Sequence, residues 1–112
     1  MSSILINYKK DLFELIKENY SELNKKISSF TAKLFDKKED EIMVNFEEFQ
    51  FYEGKRDLVV RAETSKKNID LLKKWAEGLG KIFFESNLKN HKMLIGIKTY
   101  VIDSYWKEVE LK

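Results

Sequence analysis

From Leu12 to Leu34 the apolar residues return at gaps of four and three: Leu12, Ile16, Tyr20, Leu23, Ile27, Phe30 and Leu34. An α-helix is the regular structure that brings residues so spaced onto one side. The spacing therefore predicts an amphipathic helix over 12–35, and a stripe that long needs a second layer to cover it. The lysines of the segment fall mostly on the other, solvated side. Asp11 stands where an N-cap would accept hydrogen bonds from the free amides of the first turn.

The flanking segments supply the covering layer. Residues 3–8, SILINY, are short, β-branched and aromatic, and read as a strand. After the helix, Ile42, Val44 and Phe46 alternate with Met43 and Asn45, the period of a half-buried strand. The alternation slips at Glu47-Glu48, because Phe49 and Phe51 carry the opposite parity; a bulge or a break is expected there. Glu53-Gly54-Lys55 reads as a turn and Asp57–Glu63 as a strand, with Leu58, Val60 and Ala62 on one face. Ser65 is placed to cap a second helix, in which Ile69, Leu72, Ala76, Leu79 and Phe83 step by three or four. Gly78 and Gly80 fall inside it; the apolar register runs through both, so one helix with close packing is expected. Asn87–Lys92 reads as a loop, Met93–Ile102 as the last strand, and Asp103–Lys112 as a tail with Tyr105, Trp106 and Val109 to bury.

The order is β-α-β-β-α-β, an α+β fold with two helices on one face of a four-stranded mixed sheet. Right-handed crossovers put both helices on the same side. The two halves are alike, each a strand, a helix and a strand, as in a duplicated βαβ unit.

Composition agrees with one domain over 1–112. A chain of 112 residues with 43% hydrophobic and 36% charged side chains has both a core and a solvated exterior. No stretch approaches the ~18 apolar residues of a membrane helix, and no basic segment precedes an apolar run as in a signal peptide. Cysteine is absent, which removes disulfides, thiol catalysis and thiolate metal sites. A cytoplasmic, membrane-free protein is expected. The charge of +2 arises from 21 basic and 19 acidic residues mixed along the chain, unlike the clustered basic stripe that nucleic acid favours.

The face away from the helices would carry Val59, Arg61 and Glu63 with Leu94, Gly96, Lys98, Tyr100 and Ile102. Such a mixed surface suits an oligomer whose sheets pack on one another; a monomer with scattered exposed apolar residues is the plainer alternative.

Chemical motifs are scarce. The chain lacks G-x-G-x-x-G, a Walker loop, H-E-x-x-H and an acidic calcium loop, so neither metal nor cofactor is expected. The single histidine, His91, lies in an Asn-His-Lys loop. Glu47-Glu48 and Glu39-Asp40-Glu41 read as solvated turns, and Tyr52 with Lys55-Arg56 as a charged hairpin tip. One group remains: a terminal α-amine held by a strand, whose ordinary pKa of about 7.7–8.0 makes it a usable general base near neutrality.

The opening MSSILINY resembles the start of the tautomerase superfamily (the macrophage migration inhibitory factor fold), most closely its 5-carboxymethyl-2-hydroxymuconate isomerase branch. There a proline follows the initiator Met and leads into an apolar strand, and Ile4-Leu5-Ile6-Asn7-Tyr8 falls in that register without gaps. The element order, the Glu53-Gly54-Lys55 turn leading into Leu58-Val59-Val60, and a closing strand ending Asp103-Ser104-Tyr105-Trp106 are also similar. The resemblance implies a homotrimer with sites at subunit boundaries, a terminal amine that moves protons in enol–keto isomerisation, and arginines that hold a small carboxylate ligand. In this chain Ser2 occupies the place of the proline, and Arg56 and Arg61 are the only arginines. Ser2 is thus the candidate base and Arg56 and Arg61 the candidate carboxylate contacts. Three functions stay open: a divergent enol–keto isomerase, a non-catalytic trimeric structural or ligand-binding protein, and a ferredoxin-like regulatory or RNA-binding module.

Overall fold

Ser2–Tyr8 forms β1, and the sheet is built around it. The computed structural model describes residues 2–51, 54–65, 68–88 and 90–99. β1 pairs in parallel with β2 (Ile42–Glu48) and antiparallel with β3 (Leu58–Thr64), which pairs in parallel with β4 (Met93–Thr99). The strand order is β2-β1-β3-β4. Helix α1 (Phe13–Phe35) joins β1 to β2, and α2 (Ile69–Phe84) joins β3 to β4.

This is the expected β-α-β-β-α-β sheet with two helices. Its pairing also decides against the ferredoxin-like alternative, whose βαβ unit is split by an intervening strand. Here each helix connects immediate neighbours, so the sheet is two intact βαβ units joined along β1 and β3.

The core lies between sheet and helices. Ile4, Ile6, Leu58, Val60 and Ala62 point to one side and are buried against Leu23, Ile27, Leu79 and Phe83. The helices meet through aromatic packing. The Phe35 and Trp75 rings cross edge to face with centroids 4.9 Å apart, and the Trp75 indole N–H donates to the Thr31 hydroxyl at 3.0 Å. Gly78 and Gly80 both lie inside an unbroken α2, as the apolar register required.

Both expected caps are displaced. An N-cap must be the last extended residue, and before α1 that residue is Lys9, which opens a 3-10 turn over Lys10–Leu12. Asp11 is inside that turn, and α1 starts at Phe13 with no side-chain cap. Ser65 is likewise too early, since β3 runs through Thr64. Asn68 caps α2 instead, its side-chain oxygen accepting from the Asp70 and Leu71 amides at 3.0 and 3.3 Å.

Of the two expectations at Glu47-Glu48, the break holds. β2 ends at Glu48, the Phe49 amide donates to the Tyr8 carbonyl at 2.9 Å, and the Phe51 ring is 98% exposed. Tyr52 and Glu53 of the turn, Tyr100–Ile102 of the last strand and the tail with Tyr105, Trp106 and Val109 lie outside the described residues.

Asp57 ties three strands at one end. Its carbonyl accepts from the Lys9 amide and its amide donates to the Lys92 carbonyl. Its carboxylate accepts from the Lys92 amide at 3.0 Å, with the Lys9 ammonium 3.4 Å and the His91 ring 3.6 Å away. The Lys92 amide foremost, with Lys9 and His91 adding to it against the opposing effect of burial, holds this carboxyl below the usual carboxylate range. A lowered folded pKa stabilises the fold above the unfolded value of about 3.9, and that contribution is lost as pH falls through the folded value. Acid unfolding of Asp57→Asn, followed by circular dichroism, should be shallower below pH 4 than that of the wild type, and the variant less stable at pH 7. Parallel acid profiles would show that the clasp contributes nothing.

Candidate functional site

Ser2 opens β1 on its buried side. It pairs with Ile42 of β2 and Thr64 of β3, and its even parity turns the hydroxyl towards the helix layer. There the Ser2 and Thr64 hydroxyls are hydrogen-bonded at 3.0 Å, with Ser2 only 5% exposed and Thr64 fully buried. The first residue of the sheet is therefore fixed on both flanks.

The loop after α1 forms the mouth beside it. Asp36 takes a left-handed conformation, φ 54°, which ends the helix. The Lys37 amide then donates back to the Ala32 carbonyl at 2.8 Å, the pattern of a helix stop in which the residue after the left-handed one closes the last turn. A second 3-10 turn, Glu39–Glu41, leads into β2. Together Ser2, Lys37, Asp40 and Glu41 line an open depression of 450 Å³. Lys37 is its one basic side chain among the described residues.

The arginines are elsewhere. Arg61 pairs with Leu5 and faces the helix-free side, where its guanidinium donates to the Asn7 side-chain oxygen at 2.6 Å. The Asn7 amide in turn donates to the Glu47 carbonyl at 3.4 Å. Arg61 is thus drawn towards the far end of β1. Arg56 lies just before β3, beyond the Tyr8 end; six strand steps put that end about 20 Å from Ser2. One protomer does not bring Ser2, Arg56 and Arg61 together. The second depression, between Asn7, Arg61, Glu47 and Phe51, belongs to this distant end.

Lys37 and Thr64 escaped the sequence. The run Asp36-Lys37-Lys38-Glu39-Asp40-Glu41 has the composition of a solvated loop, and only the left-handed turn with the Ser2–Ile42 register brings it to the start of β1. Among the described residues no group of three or more His, Cys, Asp or Glu side chains is arranged to hold a metal ion, and no helix is long and apolar enough to cross a membrane.

The helix-free face of the sheet is mixed, as expected. In register, one row reads Met43, Ser3, Glu63 and Lys98, the next Asn45, Leu5, Arg61 and Gly96, and the third Glu47, Asn7, Val59 and Leu94. Met43 and Leu94 are 50% and 44% exposed. These described residues include no aromatic side chain of the kind on which single-stranded bases stack.

No protein-family model matches the chain, and no curated protein matches it. Solved structures do. A domain of unknown function (DUF1904) from Sebaldella termitidis superposes with a TM-score of 0.70 at 10% identity, covering 96% of each chain. The macrophage migration inhibitory factor-like protein of Entamoeba histolytica gives 0.67 at 9% identity, over 96% of this chain and 95% of that one. A fused 4-OT described as an asymmetric trimer gives 0.70 at 10% identity, over 94% and 91%. Identities this low speak for backbone architecture alone, and on that ground the chain has the tautomerase-type fold of the macrophage migration inhibitory factor-like and 4-OT proteins.

Proposed function

We propose that this chain, as one domain, forms a homotrimer that binds a small carboxylate at the Ser2 mouth and interconverts its enol and keto forms. The observation that carries this is the fixed start of β1: Ser2 is buried beside a depression whose one described cation is Lys37. Removal of Met1 would leave the Ser2 α-amine there. Burial and the Lys37 charge favour its neutral form, the one that accepts a proton, while Asp40 and Glu41 at the same mouth act in the opposite sense. The amine takes the enol O–H proton and a proton is returned to the adjacent carbon, while Lys37 pairs with the ligand carboxylate. Three copies meeting through the helix-free face would cover Met43 and Leu94 and bring a neighbour's Arg56 or Arg61 towards the site. The 4-OT neighbour is described as a trimer, and the finer likeness to 5-carboxymethyl-2-hydroxymuconate isomerases rests on the MSSILINY register.

Intact mass spectrometry first establishes whether Met1 is removed, and light scattering should give three times the 13.4 kDa protomer mass. Ketonisation of phenylenolpyruvate then tests the amine. Ser2→Pro should raise kcat, since a secondary amine in the same place is rigid and more basic, and Lys37→Met should raise KM far more than it lowers kcat. A wild type and Ser2→Pro that are both inactive would overturn the catalytic assignment. The second reading, a ligand-binding protein without catalysis, is favoured by the serine in the proline's place; activity confined to Ser2→Pro would establish it.

A further inference from the structure

The outer surface of the helix layer carries a groove unrelated to Ser2. Phe30 of α1 and Gly78 and Ile82 of α2 line a depression of 640 Å³ between the helices, all three partly buried, with Lys25, Lys33 and Lys81 exposed at its rim. None of these three lysines has a carboxylate at ion-pair distance among the described residues, whereas Lys26, farther along, is held by Glu22 at 2.8 Å. A second hollow, reaching to Asn19, shares Lys26, Ile82 and Glu85 with the first. From Asn19 to Lys33 the two follow α1 for about 21 Å, or four helical turns.

Length, openness and charge restrict the occupant. A small molecule is held by burying most of its surface in a concave pocket, and this trough is shallow and long. A helix laid along it would present residues at i and i+4 to the Phe30–Gly78 contact and to Ile82, one turn farther along. Three lysines without an ion-pair partner among the described residues, Lys25, Lys33 and Lys81, outnumber the one carboxylate, Glu85, that lines the same depression. The rim is therefore net basic, and its partner must carry carboxylates over Lys25, Lys33 and Lys81. The groove is also on the layer away from the helix-free sheet face, so assembly through that face leaves it open.

We propose that the groove between α1 and α2 docks an acidic amphipathic helix of a partner protein. The probe is a labelled helical peptide of about 14 residues, leucine on one face and glutamate on the other, with a lysine-for-glutamate counterpart. Binding to the full chain is followed by anisotropy and by NMR shifts at Phe30, Ile82 and Lys33. The acidic peptide should bind and the basic one should not. Reversing the rim with Lys25→Glu, Lys33→Glu and Lys81→Glu should weaken the acidic peptide by about tenfold or more and admit the basic one. Phe30→Ala, which removes the apolar floor and leaves the charge intact, should also weaken it; circular dichroism verifies that both variants fold. Absence of binding, equal binding to the reversed rim, or shifts at Met43 and Leu94 instead would overturn the proposal. So would displacement of the peptide by dodecanoate, which marks a lipid groove, or a change of oligomeric mass in the reversed variant, which marks a second copy as the occupant.

Discussion

Trp75→Ala is expected to remove about 3–5 kcal/mol of folding stability in urea denaturation, the range for an aromatic deleted from a packed core. Trp75 is fully buried, crosses Phe35 edge to face, and hydrogen-bonds Thr31 across the α1–α2 contact. A domain of this size has about 5–15 kcal/mol in all, so the loss is from a fifth to all of its stability and should shift the urea midpoint far down. The polar half of the contact can be isolated. Thr31→Val keeps the shape of the side chain but leaves the indole N–H buried without an acceptor, at about 1–3 kcal/mol. Trp75→Phe is milder in this respect, because a helical threonine hydroxyl can turn to the carbonyl four residues back. In the Trp75→Phe background Thr31→Val should therefore cost far less than it does alone. Equal costs in both backgrounds would show that the hydrogen bond has no share in joining the helices.

The second large effect concerns the two glycines of α2, for which substitution by alanine should have opposite signs. At either position alanine gains about 1 kcal/mol of helix propensity. A β-carbon on Gly80 would rest 3.6 Å from the Ile95 side chain, an ordinary contact, so Gly80→Ala should stabilise. At Gly78 the Phe30 ring already occupies the space, and forcing it out of the helix–helix seam is overpacking, at about 1–3 kcal/mol. Gly78→Ala should thus be net destabilising, and in the Phe30→Ala background it should become stabilising. Midpoints from urea titrations of the four proteins decide the matter; a destabilising Gly78→Ala in both backgrounds would place the clash with some other group.

The parts of the fold legible in the sequence were those written as periodicity. The α1 stripe, the alternation of β2 up to Phe46 and the uninterrupted register through Gly78 and Gly80 all reflect which side of an element is buried, and burial leaves a repeating mark. The caps were misplaced because a cap depends on where the preceding strand stops. Asp11 and Ser65 have suitable side chains, but the backbone reaches its last extended residue at Lys9 in one case and Asn68 in the other. Element order could not separate this sheet from a ferredoxin-like one, since both share it; only the adjacency of β1 and β2 does so. The site divided in the same way. Ser2 could be found because a strand began at once, whereas the pairing of Arg61 with Asn7 arises from antiparallel register between residues 54 apart. Lys37 was hidden for a different reason: one left-handed backbone step at Asp36 sets its position, and charge composition does not record a dihedral angle.

The Asp57 clasp makes the two halves of the protomer unequal at corresponding places. Each half of the molecule starts its first strand next to the loop feeding its second, so the architecture offers two equivalent vestibules. In the leading half that vestibule stays accessible at Ser2. In the trailing half the same spot is tied down, since Asp57 stitches the base of β3 to Lys92 through main chain and carboxylate alike. Duplication without equivalence thus gives each subunit one open and one tied strand start.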